Sequence, residues 1–421
     1  MIEYETEGAF TRRSSHAAPG RWATLRRVGG GLENRAVRIV IAPDKFKGSL
    51  TAAEVARALA DGLAGAGIET DQVPVADGGE GTVEAAVSTG FRAVPVEVPG
   101  PLGEPVRATY AIGVPAGGGP ETAVIELAAA SGLDQLPRDA DGRPRFSPLQ
   151  ASSAGTGALI RAALDAGCTE LVLGVGGSAN TDGGAGLLTA LGARLLDADG
   201  RPVPSGGGGL TGLARVDLSG LDPRIASTRI VLAADVGNPL LGPNGAAAVF
   251  GPQKGATAAD VELLDRALDG YARLVADALG ADPEVLVSAP GAGAAGGVGF
   301  AALAVLGGRM RPGIDLVCEL VGLDRRLAGA DAVITGEGSL DPQSLGGKSP
   351  IGVARRARAA GVPAVYAVCG RNLLTAEEAA GAGFDAVYAL ADREPDPERS
   401  MRLAAELLRP VGREIGLAVR S

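Results

Sequence analysis

The sequence predicts an α/β protein in which a doubly wound domain, discontinuous along the chain, is interrupted by a second domain of mixed α/β type. Three observations predict it. Short β-branched runs, each followed by a glycine-bearing polar loop and a helical pattern, occur near residue 40 and again after residue 330. The stretch between them opens with alternating residues around a turn, the mark of an antiparallel hairpin, which does not belong in a parallel βα series. No segment carries 18 or more uninterrupted apolar residues, so no membrane span is expected.

The elements follow in order. Arg38-Ile39-Val40-Ile41-Ala42-Pro43 is a β-branched run ended by proline and suits a buried parallel strand. After the loop DKFKGS, Thr51-Ala52-Ala53-Glu54 has capping-box spacing, and Val55, Leu59 and Leu63 recur at helical intervals. A strand over Thr70 to Ala76 runs into Asp77-Gly78-Gly79-Glu80-Gly81-Thr82 and a further helix. Arg92 to Gly113, around PGPLGEP, is the hairpin. Glu170 to Val175 reads as a strand that opens into GGSANTDGG before a helix from about Ala185, and Ala233-Ala234-Asp235 closes another strand. Late strands are expected at Asp331 to Thr335, Ala364 to Val368 and Asp385 to Leu390. Two early and three late strands make five, the number in a flavodoxin-like doubly wound sheet. The expected division is therefore 36–85 with 291–421 for that sheet, and 86–290 for the insert.

Residues 1–35 differ from the rest: arginines and glutamates are mixed, a run of three glycines at 29–31 stands near the end, and no regular pattern begins. A secretory signal needs an apolar stretch of roughly 7 to 15 residues after its positive charges, and none is present. The segment is expected to be a disordered extension or the product of an upstream start codon.

The net charge of −10 argues against a nucleic-acid or anionic-membrane partner. Cys168, Cys318 and Cys369 are widely spaced and flanked by apolar or small residues, so they read as buried thiols in a reducing, cytoplasmic compartment. The single histidine, His16, lies in the N-terminal segment, which leaves no basis for a Ser/His/Asp triad or a histidine-ligated zinc.

Only four of the 39 basic residues are lysine: Lys45, Lys47, Lys254 and Lys348. All four stand in glycine-bearing loops, DKFKGS, GPQKG and GGKS. An ammonium is a compact point charge able to approach one oxygen closely, and a guanidinium fork does not replace it. The expectation is that several of these cations converge on an anionic substrate. The other loops, DGGEGT, GGSANTDGG, the Gly237-Asn238-Pro239 turn and Gly336-Glu337-Gly338 through Lys348-Ser349, join carboxylates or amides to glycine at strand ends. Such equipment suits metal-assisted phosphoryl transfer, in which carboxylates hold Mg²⁺ while lysines and amides neutralise the moving phosphate. GGKS is not a phosphate-binding P-loop, because Pro342 stands where that pattern needs glycine. Ser349-Pro350 also fits a helix N-cap, and GAGAAG from Gly291 matches a dinucleotide fingerprint that glycine abundance produces by accident.

The loop wording is specific as a set. IAPDKFKGSLTAAEVARALADGL, VPVADGGEGTVEA, IELAAASGL, GVGGSANTDGGAG, ADVGNPLLGPNGAAAVFGPQKGA, GAGAAGGVGFAALAVLG and ITGEGSLDPQSLGGKSPIGVA, in this order from about residue 37 onward, resemble successive blocks of the bacterial type 1 glycerate kinase family. The resemblance implies a flavodoxin-like domain joined to a restriction-endonuclease-like domain, and ATP-dependent phosphorylation of D-glycerate to 2- or 3-phosphoglycerate. Lys45, the order of Asn180 and Thr181, Gly237 and Gly346 depart from the family's usual wording. Those departures bear on substrate preference among small hydroxy acids.

Taken with the resemblance, the loops nominate Lys47, Asp77 and Asp182 as catalytic, with Asp182 or Asp77 taking the proton of the attacking hydroxyl. Ser49, Gly78, Gly79, Asn180, Gly183, Asp235, Asn238, Lys254, Glu337 and Lys348 are nominated for binding ATP and substrate. Mg²⁺ is expected to arrive with ATP, and no ligand set is assigned to it. Two rival readings are a non-catalytic glycerate sensor and an NAD-dependent hydroxy-acid dehydrogenase using GAGAAG. The oligomeric state is open, a homo-oligomer included.

Overall fold

The computed structural model describes residues 37–64 and 67–421; the expectation for residues 1–35 lies outside them. Among the described residues thirteen strands form three sheets. They are β1 (Val37–Pro43), β2 (Ile68–Gln72), β3 (Arg92–Pro99), β4 (Pro105–Gly113), β5 (Thr122–Glu126), β6 (Glu170–Gly174), β7 (Arg194–Leu196), β8 (Arg215–Asp217), β9 (Arg229–Ala233), β10 (Arg309–Arg311), β11 (Ala332–Leu340), β12 (Ala364–Asn372) and β13 (Ala386–Ala389). The first sheet is wholly parallel in the order β13-β12-β11-β1-β2, the second has six strands in the order β10-β9-β6-β5-β4-β3, and β7 pairs β8.

Alternation along each strand of the parallel sheet divides its side chains between two cores. Ile39 and Ile41 face helices Ala52–Leu63 and Ala404–Arg420, whereas Val40 and Ala42 face helices Gly313–Leu320 and Ser349–Ala359. Both faces are therefore covered, as a parallel sheet requires. The first helix starts where its capping box predicts: the Glu54 amide donates to Thr51 Oγ1 at 3.3 Å and the Thr51 amide to Glu54 Oε2 at 2.9 Å. The second strand begins two residues earlier than expected. Past Gln72 its pairing continues through single bonds, Val73 N to Ile41 O and Val75 N to Pro43 O, which carries the chain to Asp77 in extended form.

The six-stranded sheet holds the expected hairpin, with β3 and β4 antiparallel from Arg92↔Ile112 to Pro99↔Pro105. Its parallel half, β5-β6-β9-β10, runs to Arg311, so strand Arg309–Arg311 joins this sheet although it lies beyond residue 290.

Helix Gly313–Leu320 ties the two sheets together. Ile314 and Val317 pack into the core of the parallel sheet, while Leu316 and Leu320 pack on Val172, Val231 and Ala233 of the mixed sheet. Each such buried side chain contributes roughly 1.5–3 kcal/mol. Helix Thr82–Ser88 is used in the same way, with Ala85 facing one core and Ala86 the other. This shared layer fixes the loop after β2 between the carboxyl ends of both sheets. Among the described residues no helix is long and apolar enough to cross a membrane, and Cys168, Cys318 and Cys369 are buried free thiols.

A candidate active site at the carboxyl edge of the parallel sheet

A cavity of about 730 Å³ opens over the carboxyl ends of the parallel strands, and loops from all five segments line it. The loop after β1 is a tight turn in which Phe46 and Leu50 exchange backbone hydrogen bonds of 2.8 and 3.0 Å. Lys47 stands at its tip, exposed to the cavity beside Gly48, whose φ of +75° a side chain would resist. On one side of Lys47, the Lys45 ammonium donates to the Glu80 carbonyl; on the other, Ser49 Oγ donates to the Met401 carbonyl at 2.6 Å. Lys348 arrives from the far side as the residue that begins helix Ser349–Ala359, with the positive end of the helix dipole behind it.

Carboxylates face these cations. Asp44 accepts from the Lys45 amide at 2.6 Å and from Ser349 Oγ at 2.6 Å, and its carboxyl is pushed up to about 6, first by burial and then by the charge of Asp77. Ser349 is thus not a cap: it occupies the first helical position, and its hydroxyl is captured by Asp44. Burial drives Glu337 up to about 7 against the pull of the Ser344 hydroxyl and Lys348, and its Oε1 is buried with no hydrogen-bond partner. Asp77 lines the cavity and accepts from the Gly79 amide at 3.1 Å. Its loop cannot drift: a Cβ on Gly313 would lie 1.8 Å from the Asp77 carbonyl oxygen, and one on Gly174 would lie 2.2 Å from that of Gly78.

Asp235, two residues past the end of β9, holds the Gly313 amide at 2.9 Å and senses the charges of Asp77 and Lys348. Burial against the surrounding backbone comes first in raising its carboxyl. The residue keeps a solvent-open side that weakens the effect, whereas Asp44 and Glu337 are more deeply enclosed. Among the described residues no three acidic, histidine or cysteine groups meet closely enough to hold a metal by themselves.

Of the nominated residues, Lys47, Ser49, Asp77, Glu337 and Lys348 line this one cavity, with Gly78, Gly79 and Asp235 beside it. Four others meet elsewhere. Asp182 is fully buried and accepts five hydrogen bonds, from Ser153 N at 2.8 Å, Ser153 Oγ at 2.9 Å, Asn180 Nδ2 at 2.9 Å, Gly184 N at 3.1 Å and Gly186 N at 3.2 Å. Lys254, also buried, donates to the Asn180 carbonyl, and its ammonium is pulled down to about 7 by burial while Asp182 opposes the fall. Of the four lysines, Lys45, Lys47 and Lys348 line the cavity, whereas Lys254, nominated for binding, lies in the interior.

Gly183 belongs to the same internal knot, because its amide donates to the Gly296 carbonyl at 2.9 Å. That contact also accounts for GAGAAG. Helix Pro283–Ser288, not a strand, precedes it, and a Cβ on Gly296 would lie 2.1 Å from the Asn180 carbonyl, so its glycines serve a close backbone crossing. The dinucleotide reading lacks the strand it needs. Asn238 donates to the Asn244 carbonyl at 2.8 Å within its own loop and does not line the cavity.

Residues 39–420 match the sequence model of the glycerate kinase family. The chain belongs to the glycerate kinase family. It is 44% identical over 387 residues to the glycerate kinase of Bacillus subtilis (strain 168), covering 91% of this chain and 98% of that one. It is 47% identical over 325 residues to the glycerate 2-kinase of Escherichia coli (strain K12), covering 76% of this chain and 82% of that one. Its fold is similar to the crystal structure of a Salmonella typhimurium LT2 protein described as a candidate glycerate kinase 2, with a TM-score of 0.77, 44% identity and coverage of 92% of this chain and 99% of the other. A member of the glycerate kinase family is a phosphotransferase that uses ATP, which fits a cleft carrying both ammonium groups and carboxylates.

Sequence reasoning missed three features of the cleft. Asp44 stood at a strand end in a lysine loop, where the same rule that selected Asp77 would have found it. Arg371, at the end of β12 and bonded to Ser339 Oγ at 3.0 Å, had no signal among so many arginines. The wall formed by residues 390–404 contains no glycine, the signature that marked the other loops.

Proposed function

We propose that this chain transfers the γ-phosphoryl group of ATP to a hydroxyl of D-glycerate, giving a phosphoglycerate and ADP. The observation that carries the reading is the meeting of Lys47, Asp77, Glu337 and Lys348, from loops far apart in sequence, in one cavity. In the step proposed, the acceptor hydroxyl oxygen forms a bond to the γ-phosphorus as the bridging oxygen leaves with ADP, and Asp77 takes the hydroxyl proton late. Lys47 and Lys348 lie against the phosphoryl oxygens or the substrate carboxylate, holding the reactants in line. The protein's part is mostly positioning and charge.

Mg²⁺ fits the residues present. Glu337 has an unpartnered oxygen, and Asp44 and Asp77 repel one another across the cleft, so one or two of these carboxylates would hold an ion whose other ligands are phosphate oxygens and waters. When bound, the ion neutralises the β- and γ-phosphates. Asp182 is assigned away from proton transfer, since its five donors leave no face for a substrate.

The strand order supports the finer fold reading. Counted along the chain, the parallel sheet runs 2-1-3-4-5, the flavodoxin-like order, in which ligands lie outside the carboxyl ends of the strands. The mixed sheet is then the restriction-endonuclease-like domain, with 86–290 as its main span and β10 added from beyond it. Three buried thiols accord with a cytoplasmic setting.

The test is a coupled ADP assay across D-glycerate, L-glycerate, glycolate and tartronate, with NMR of the product. ADP release with D-glycerate as the preferred acceptor is the expected result. Binding of glycerate without ADP release would convert the protein into a sensor and overturn the proposal.

A further inference from the structure

The cavity is divided in character. Unpaired carboxylates come from the loops after β1 and β2 and from the end of β11, whereas the segment after β13 is mostly apolar, contributing Leu390, Ala391, Pro395, Pro397, Met401 and Ala404 together with Ser400 and an ion-paired Glu394. Charged side chains of the same segment fix that wall. Asp396 caps helix Pro397–Arg402 through the Arg399 amide at 2.8 Å, and Arg399 Nε pairs with Glu394 Oε2 at 3.0 Å. Met401 is 45% exposed in this wall, an apolar and polarizable side chain open to the cleft.

Two cations stand at the junction of the halves. Lys47 lies between Lys45, which reaches Glu80 beyond β2, and Ser49, which is tied to Met401. Arg371 ends β12, the strand between β11 and β13. Four strand spacings separate β2 from β13, about 19 Å across the sheet. A long ligand with a flat apolar end, an anionic middle and a reacting terminus matches this sequence of surfaces.

We infer that residues 390–404 form the nucleobase subsite, with Lys47 and Arg371 flanking the phosphate chain and the terminal phosphate directed towards Asp77. The inference rests on the kinase reading for its ligand, a nucleoside triphosphate, but fixes a pose that reading leaves open. Among the described residues Arg371 donates through Nε to the Ser339 hydroxyl alone, which leaves the two terminal nitrogens of its fork for phosphate oxygens.

The test separates base from phosphate by titrating ATP and inorganic tripolyphosphate into the full chain by calorimetry. In Met401→Glu, ATP affinity is expected to fall at least about tenfold, because a carboxylate replaces an apolar contact under the ring, while tripolyphosphate binds within about twofold of wild type. Equal loss of both ligands, or unchanged ATP binding, would overturn the subsite. A second measurement needs no variant: photolysis with 8-azido-ATP is expected to label a peptide within 390–404, and labelling confined to other segments, or none, would refute the assignment. Both readouts are binding measurements, so a wild-type protein that bound ATP in this pose but released no ADP with any acceptor would sink the kinase proposal and leave the subsite standing.

Discussion

Replacing Asp182 separates a carboxylate that builds the protein from one that does chemistry. Its Oδ2 accepts three donors and its Oδ1 two, all within an interior that the 291–301 segment seals. Asp182→Ala leaves these donors without their acceptor, and the expected loss is about 3–5 kcal/mol, the range for removing one partner of a buried charged network. Asp182→Asn should cost less. With its carbonyl oxygen placed on the three-donor side, its amide meets Asn180 Nδ2 and Gly184 N, and a flip of Asn180 would offer the otherwise unpartnered Oδ1 as acceptor while forfeiting the 3.1 Å bond to the Ala295 carbonyl. About 1–3 kcal/mol follows. Urea titration of wild type and both variants, with turnover measured on the folded fraction, is the assay. Lowered midpoints are expected in the order Ala below Asn below wild type, with substantial turnover surviving in folded Asp182→Asn. A wild-type midpoint combined with abolished turnover would show that Asp182 acts on the substrate and that the knot has been misread.

Three further expectations follow from the cleft. Lys47→Arg keeps the charge but replaces a point donor by a broad fork at the tip of a tight turn, and kcat should fall by about a hundredfold or more with the midpoint unchanged; wild-type-like steady-state kinetics would remove the argument for lysine. Glu337 and Asp44 have carboxyls raised to about 7 and about 6, so each contributes stability that is present below the unfolded carboxylate range and lost as pH rises through those values. The ligand-free protein should therefore lose stability between about pH 4.5 and 7, and Glu337→Gln should flatten the upper part of that decline in pH-dependent urea midpoints; an unaltered profile would contradict it. Gly313→Ala puts a methyl group 1.8 Å from the Asp77 carbonyl, so Asp77 must move, and turnover should drop further than the modest fall in melting temperature accounts for; unchanged kcat would show that Asp77 has no exacting position.

Local chemistry made much of the fold and part of the site legible. The capping box at Thr51, the β-branched run before Asp44 and the hairpin around PGPLGEP depend on neighbours in sequence, and each stands where its residues indicate. Lys47, Asp77, Glu337 and Lys348 were found because each combines a charged group, a glycine and a strand end. Asp182 and Lys254 carry the same signature for a different reason. What distinguishes them is the 291–301 segment, which returns more than a hundred residues later to cover the Asn180–Gly184 loop, and no local pattern announces that cover. Arg371 and Met401 were illegible for the opposite reason: an arginine among many and an exposed methionine become informative only when the sheet order sets them beside the lysine turn.

A crystal structure of the protein with D-glycerate, Mg²⁺ and a non-hydrolysable ATP analogue tests the central claim most directly. The account predicts the triphosphate crossing the carboxyl edge of the parallel sheet, with its terminal phosphate between Lys47 and Lys348 and the acceptor hydroxyl within hydrogen-bond reach of Asp77. A nucleotide seated at the Asn180–Gly184 loop, with Lys47 and Lys348 contacting neither ligand, would contradict it.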